Sequence, residues 1–351
     1  MLAAISFFSV KVDAISAEKW IMMDASTGRV LEEHKADERS LIASTTKIMT
    51  ALVVCEQCNV LDRMRIPKEA VGIEGSSMYL KEGEVLTIQE LLYGLMLHSG
   101  NDAAVALAIY CSGTVEGFAE LMNDKARSIG MENSHFVNPN GLDAPNHYAT
   151  ARDLALLASY AMENPIFAQT VSTKTVTVGN RVLRNHNKLL WQLDGADGVK
   201  TGYTKAAGRI LVSSTQRDGR RLVVVTINAP SDWQDHKYLV EKGFSGYQIT
   251  EIVQYGTCVG TVEIAGGEQG VVQLIADDSF FYPLAHGEEP EILLQGPGFV
   301  YAPVSAGENA GFAYLMIGNH VAGKLPLVYG QTVEQTKDAP KRSLFERLFG
   351  G

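Results

Sequence analysis

Ser44 and Lys47 are the residues of this 351-residue chain from which chemistry is most readily built. A serine hydroxyl attacks poorly at neutral pH unless a base lies within hydrogen-bond reach, and a lysine three positions on, on the same helical turn, can be that base. The run Ile48-Met49-Thr50-Ala51-Leu52-Val53-Val54 follows directly. It is apolar nearly all the way round, the pattern of a helix buried inside a domain. Ser44 would then stand at the positive end of a buried helix, where low dielectric and the helix dipole favour the neutral, proton-accepting form of Lys47. A second Ser-x-x-Lys pair, Ser16 to Lys19, has no buried run after it and is set aside.

The elements that must hold these residues can be read in chain order. Trp20 to Ala25 and Arg29 to Glu33, joined through Ser26-Thr27-Gly28, predict a β-hairpin. Ser40 to Glu56 is the central helix with its lead-in. Pro67, Gly72, Gly75 and Gly83 break Val60 to Leu86 into loops and short strands. Thr87-x-x-Glu90 fits a capping box that opens a second buried helix, Leu91 to Leu97. Ser99-Gly100-Asn101 then falls in a break where side chains can face a cleft, and Asp102 is placed to cap a further helix through Tyr110. Thr114 to Ser128 is amphipathic and ends at Gly130. The turn formers from Asn138 to His147 mark a long ordered or functional loop, and Thr150 to Glu163 is helical again. Thr173 to Val178, Gly208 to Ser214 and Arg221 to Asn228 are strand-like, with Asp218-Gly219 turning between the last two. Lys200-Thr201-Gly202 precedes the run from Gly208. A hairpin, a block of helices and a return to strands predict an α/β (α+β) domain, its helices set against an antiparallel sheet whose first strands are joined by its last.

A formal net charge of -10 argues against nucleic acid as a partner but leaves room for an anionic substrate where cations are concentrated locally. The four cysteines, Cys55, Cys58, Cys111 and Cys258, form no metal-ligand set. Cys55-x-x-Cys58 reads as small buried side chains, with a disulfide open to it outside the cytosol. No metal is expected, since His147 and His186 have no carboxylate spaced to join them, and no cofactor either. Residues 1–17 read as a processed export segment: Leu2 to Val10 is largely apolar, and Val12-Asp13-Ala14 and Ile15-Ser16-Ala17 present small residues to a signal peptidase. A catalytic domain over 18–250 follows. Glycines and β-branched runs such as Val271 to Ile275 and Gly311 to Ile317 predict a smaller all-β domain over 251–331. Residues 332–351 read as a linker and a short amphipathic tail, Lys341 to Phe349, suited to weak contact with a membrane interface or to docking as a helix.

Ser44-x-x-Lys47, Ser99-x-Asn101 and Lys200-Thr201-Gly202, in that order, are the set found in penicillin-binding proteins and class A β-lactamases. The chain resembles the low-molecular-mass penicillin-binding proteins, in particular the serine-type D-alanyl-D-alanine carboxypeptidases of peptidase family S11. The stretches that carry the resemblance are Ala43 to Ala51, Leu97 to Ala104, Asn138-Pro139-Asn140-Gly141-Leu142, Asn185-His186-Asn187 and Asp197 to Thr204. It covers roughly Glu18 to Tyr247, and the β-domain and tail match the family's usual layout.

The resemblance implies a β-lactamase/transpeptidase-like domain and roles for named residues. Ser44 would be the nucleophile, Lys47 its base, and Ser99, held between Lys47 and Lys200, a relay of the proton to the departing D-alanine. Asn101 would hold the substrate amide, Lys200 and Thr201 the terminal carboxylate, and Gly202 and Tyr203 complete the binding strand. The backbone N–H groups of Ser44 and Tyr203 would form the oxyanion hole. The implied partners are peptidoglycan stem peptides ending in D-Ala-D-Ala, with β-lactam antibiotics as covalent inhibitors, at the extracytoplasmic face of the bacterial membrane. His98 reads as a structural hydrogen-bonder ahead of a base, and Arg209 as an ordinary strand-face arginine ahead of an aid to carboxylate binding. Where some relatives carry a further arginine, Pro230-Ser231-Asp232-Trp233 stands here. A β-lactamase would need a glutamate and a nearby asparagine to share a deacylating water; Asn138 to His147 holds no glutamate, and Glu163-Asn164 is adjacent rather than spaced for that task. A catalytically silent wall-binding protein would be favoured by a missing motif, and none is missing.

Overall fold

The computed structural model describes residues 15–336 apart from Pro297; residues 1–14 of the export segment and the amphipathic tail lie outside the described residues. The chain divides into two compact units, Met1–Ser245 and Gly246–Gly351. In order, the first is built from β1 (Lys19–Asp24), β2 (Val30–His34), α1 (Thr46–Gln57), β3 (Arg63–Arg65), β4 (Val85–Thr87), α2 (Ile88–Leu97), α3 (Asn101–Ser112), α4 (Val115–Ser128), α5 (Ala151–Met162), α6 (Pro165–Ser172), β5 (Thr175–Val178), β6 (Arg181–Arg184), α7 (Leu189–Gln192), β7 (Ala196–Thr204), β8 (Gly208–Arg217), β9 (Arg220–Ile227) and α8 (Asp232–Gly246).

Five strands in the order β2-β1-β9-β8-β7 make one sheet, every neighbouring pair antiparallel. The first hairpin therefore pairs with the last strand, as the order of patterns predicts. Asp218 and Gly219 both take positive φ, 48° and 80°, the twist that a two-residue hairpin turn demands. β9 is buried from Leu222 to Ile227, which is why it reads as a continuous apolar run rather than an alternation. Alternate residues of the sheet enter two different layers. Ile21, Met23, Ile210, Val212, Val223 and Val225 join the core shared with α1 to α6. Met22 and Leu222 face α8, where a Cβ added to Gly243 would meet both side chains.

α6, α7 and α8 have no counterpart among the elements expected from the sequence, and Lys200-Thr201-Gly202, ahead of the run from Gly208 as expected, lies in a strand of its own, β7. The capping box at α2 forms as expected, with Thr87 and Glu90 bonding reciprocally. Asp102, by contrast, does not cap α3. The N-cap there is Gly100, and the Asp102 carboxylate accepts from Ala103 N in the first turn and, outside the helix, from Ser77 Oγ, Met78 N and Leu80 N.

The second unit is all-β, as expected. It begins with β10 (Tyr247–Val253), followed by β11 (Cys258–Ala265), β12 (Val271–Ala276), β13 (Phe280–Ala285), β14 (Pro290–Gln295), β15 (Phe299–Tyr301), β16 (Asn309–Ile317) and β17 (His320–Tyr329). Six of them form a sheet in the order β14-β16-β17-β12-β11-β15, and β10 pairs with β13. Among the described residues no single helix is long and apolar enough to cross a membrane.

Candidate active site

Ser44 lies in a 3-10 turn, Ala43–Thr45, that runs directly into α1. Ala43 is held at φ 45°, a conformation costly for a residue with a side chain and concentrated at functional turns. α1 is buried from Thr46 to Cys55, yet three of its polar side chains meet a single partner, the loop from Asn138 to His147. Thr50 Oγ1 donates to Pro139 O (2.6 Å), and Thr46 Oγ1 lies 2.8 Å from His147 Nε2. His147 Nδ1 accepts from Val137 N (3.1 Å), so the proton sits on Nε2. Burial, with the neighbouring His135 adding to it, pushes His147 down to about 4 and keeps it neutral. Gly141 makes this contact possible, since a Cβ there would stand 1.9 Å from Ala43 O.

The third polar residue of α1 is Lys47, which is wholly buried. Its Nζ lies 3.0 Å from Ser44 Oγ, 2.7 Å from Asn101 Oδ1 and 2.5 Å from Asn140 O. Desolvation first, and then the charge of Lys200, hold its pKa well below the usual lysine range, against a smaller opposing pull from Asp102. A neutral amine has two N–H groups and one lone pair. Asn101 Oδ1 and Asn140 O can accept only, so they take both hydrogens. Charged, Lys47 also donates to Ser44 Oγ; once neutral, its lone pair is left to the one neighbour that can donate, the Ser44 hydroxyl.

The second wall of the site comes from the turn between α2 and α3. Ser99, at φ 62°, is another residue in the left-handed region. It borders the cavity but is held by neither lysine: the three hydrogen-bonding directions of Lys47 are taken, and Lys200 Nζ donates to Thr201 O (2.9 Å). Asn101 N donates to Ser76 O (2.7 Å) and its Nδ2 to Glu74 O (2.5 Å), so both ends of the Asn101 amide are engaged within the protein. Asp102 then fixes residues 77–80, the continuation of that same segment. His98 reads from the sequence as a structural hydrogen-bonder, but its Nδ1 is buried without a hydrogen-bond partner. Its ring lies 5.3 Å from that of His186, which burial, Lys200 and His98 push down to about 4. Asn185 and Asn187 brace this strap, the latter donating from Nδ2 to Gly198 O (2.8 Å).

The third wall is β7. Lys200 is buried beneath it, and burial lowers its pKa to about 7. Thr201, Gly202 and Tyr203 line a cavity of about 360 Å³ together with Ser44, Ser76, Ser99, His186, Lys188, Arg209, Ile210, Asp232 and Trp233. Gly202 allows a close approach: a Cβ would stand 3.3 Å from Ser44 N and from Ile42 O, a tight contact that its neighbours would have to relieve by a few tenths of an ångström. Arg209 pairs with Tyr203 across the β7–β8 register and so faces the cavity, which corrects its reading as an ordinary surface arginine. Asp232, at the start of α8, holds it through two oxygens (2.9 and 2.8 Å) and stays nearly dry in doing so. Trp233 closes that end, with Arg209 and Lys188 each 5.9 Å from its ring. Ser76, Lys188, Asp232 and Trp233 carry no motif, and Asp232 and Trp233 open a helix that the turn-like Pro230-Ser231 start conceals in the sequence. Glu163 and Asn164 lie outside the cavity lining, where Asn164 caps α6 through Oδ1.

A hydroxyl facing the lone pair of a desolvated amine can be acylated and then released by water, and on an antiparallel sheet flanked by helices this defines the serine acyl-transfer enzymes of the penicillin-binding type. The family model described as D-alanyl-D-alanine carboxypeptidase matches residues 6–231, and that of the penicillin-binding protein 5 C-terminal domain matches residues 247–335. The chain belongs to the D-alanyl-D-alanine carboxypeptidase family, the S11 serine peptidases. It is 32% identical to the D-alanyl-D-alanine carboxypeptidase DacD of Escherichia coli (strain K12), over 97% of this chain and 91% of that one. It is 29% identical to DacF of Bacillus subtilis (strain 168), over 96% and 90%. Among solved structures it resembles penicillin binding protein 5 from Haemophilus influenzae, with a TM-score of 0.78 at 28% identity over 92% of this chain and 98% of that one. A mutant of Streptomyces K15 DD-transpeptidase matches with a TM-score of 0.64 at 34% identity, over 66% of this chain and 99% of its own.

Proposed function

We propose that this enzyme removes the terminal D-alanine from peptidoglycan stem peptides ending in D-Ala-D-Ala, on the outer side of the cytoplasmic membrane, through an acyl-enzyme on Ser44. The observation that carries the reading is the set of contacts around Lys47. Ser44 Oγ gives its proton to Lys47 Nζ and bonds to the carbonyl carbon between the two D-alanines. The C–N bond then breaks, the terminal D-alanine leaves with a proton, and water cleaves the ester to free the shortened peptide and Ser44. The N–H groups of Ser44 and Tyr203 receive the oxyanion, a contribution of about 3–4 kcal/mol per donor. The close fit of Gly202 against Ser44 N supports this pairing.

Ser99 serves as the proton relay to the leaving amine from its place on the cavity wall. Lys200 and Thr201 receive the terminal carboxylate: the threonine lines the cavity, and the lysine supplies charge from beneath it. Asn101 positions Lys47 through Oδ1, and holds the substrate amide when its Nδ2 exchanges the Glu74 carbonyl for that of the substrate. β-Lactams acylate Ser44 because they mimic the same dipeptide. The amphipathic tail supports peripheral contact with the membrane surface.

The test is D-alanine release from diacetyl-Lys-D-Ala-D-Ala by the native protein and by Ser44→Ala. Release that disappears in the variant is expected. A native protein that neither releases D-alanine nor takes up a fluorescent penicillin covalently would leave the silent wall-binding reading in its place.

A further inference from the structure

We propose that Cys58 and Cys111 form a disulfide that clamps the far ends of α1 and α3, the two helices whose near ends carry Lys47 and Asn101. Sequence spacing draws attention to Cys55-x-x-Cys58, but the fold separates that pair. Cys55 is buried within α1, whereas Cys58 is its C-cap, where the backbone has turned to an extended conformation. Cys58 Sγ instead lies 2.9 Å from Cys111 Sγ, in the last turn of α3 and 53 residues away in sequence. A covalent S–S bond is about 2.05 Å, so less than about 1 Å of side-chain movement closes it. Both sulfurs are partly exposed, within reach of an oxidant.

Contacts beside the pair tie the end of α3 to the segment after α1, and the end of α1 to α4. Tyr110, the residue before Cys111, donates from its hydroxyl to Asp62 Oδ2 (2.9 Å), and Glu56 at the end of α1 pairs with Lys125 of α4 (2.6 Å). The thiols are not equivalent. The hydrogen bond from Cys58 stabilises a thiolate on Cys111 and lowers its pKa, while that same bond, burial and nearby anionic groups raise the pKa of Cys58. That asymmetry favours Cys111 as the attacking thiolate.

The oxidant is a disulfide, either a protein thiol oxidase or a small molecule such as oxidised glutathione. The Cys111 thiolate bonds to one of its sulfurs and expels the other as a thiol. Cys58 then loses its proton, attacks Cys111 Sγ and releases the second sulfur. Two protein thiols have lost two protons and two electrons, and one oxidant disulfide has become two thiols. In the cell this rests on the export reading above; with purified protein and oxidised glutathione it does not.

The full chain, recovered from an oxidising compartment or treated with oxidised glutathione, is alkylated without reduction, digested and mapped by mass spectrometry. Expected is one bridge joining the peptides of Cys58 and Cys111, lighter by two hydrogens, with Cys55 and Cys258 alkylated. Cys55→Ser should retain the bridge; Cys58→Ser and Cys111→Ser should each abolish it. Closing a loop of this length predicts a melting temperature about 5–15 °C higher for the oxidised than for the reduced native protein. Comparing redox states of one sequence avoids reliance on a variant that fails to fold. Penicillin labelling of Ser44 should persist in both states, because neither cysteine lies in the cavity. Free thiols at both positions after oxidation, or a bridge from Cys58 to Cys55, would overturn the proposal.

Discussion

The two units bury different things. Among the described residues, every buried polar or charged side chain, from Asp24 to His236, belongs to the first unit. The second is held by small apolar clusters, such as Val253, Leu274, Ala313, Leu315, Leu325 and Leu327. A buried polar group costs several kcal/mol unless its hydrogen bonds are met, so a fold collects such groups only in connected sets. Here the sets are legible: Lys47 with Asn101 and Asn140, Asp102 with the 77–80 segment, and His236 between Ser213 (2.6 Å) and Thr226 (2.9 Å). The described interior of the first unit is threaded by polar networks, whereas that of the second is built from apolar contacts.

The contrast is broken most directly at Lys47. Replacement by methionine keeps the volume but removes the base, and acylation by fluorescent penicillin should fall by about 10²–10⁴-fold. The variant should also melt lower, because Asn101 Oδ1 and Asn140 O each lose a donor at about 1–3 kcal/mol. Unchanged acylation would mean that Ser44 is activated by another group.

A smaller effect separates the units by acidity. Burial drives His236 down to about 3 from its ordinary 6.5, so the unfolded chain binds a proton there that the folded one refuses. Stability from this residue is complete above about pH 6.5 and is lost as pH falls toward 3, by about 2 kcal/mol at pH 5. Chemical denaturation at pH 7 and pH 5 should show this loss in the first unit alone, added to that from His147 and His186, which burial also holds down to about 4, and His236→Gln should remove its own share of about 2 kcal/mol and leave theirs. An equal loss in the second unit would erase the distinction drawn here.

The mildest effect concerns binding. Lys200 titrates near pH 7 in the free enzyme and is charged below that value. The KM for a carboxylate-ended peptide should therefore rise as pH climbs above 7, approaching about tenfold per pH unit. Lys200→Arg keeps its charge and should lose that rise. A KM indifferent to pH in the native enzyme would place the carboxylate on other donors, with Arg209 the first to consider.

Much of this was readable from the sequence because helical and strand periods place residues locally. Ser44 and Lys47 are one turn apart on a run too apolar to face water, and the hairpin, capping box and Asp218-Gly219 turn each rest on a few adjacent residues. What could not be read depends on contacts distant along the chain. Asp102 looks like a helix cap until the 77–80 segment is seen to donate to it. Cys58 looks paired with Cys55 because spacing along a helix is visible and the approach of α3 is not. α8 was missed because its buried face, His236, Leu239, Val240 and Gly243, mixes polar and small residues with apolar ones and follows a turn-like Pro230-Ser231-Asp232 start. Arg209 shows the same limit. On a strand its direction follows from register, and the register with β7 came only with the fold.

β7 is the last strand of its sheet. A terminal strand has a row of backbone N–H and C=O groups with no further strand to pair with, and an extended peptide can supply one. A substrate laid along Thr201 to Tyr203 would become a sixth strand for as long as it stays. Main-chain hydrogen bonds would then set the direction in which the peptide runs, before any of its side chains is read. Recognition of this kind discriminates by backbone handedness, which suits a site whose substrate ends in residues with little more than a methyl group to offer.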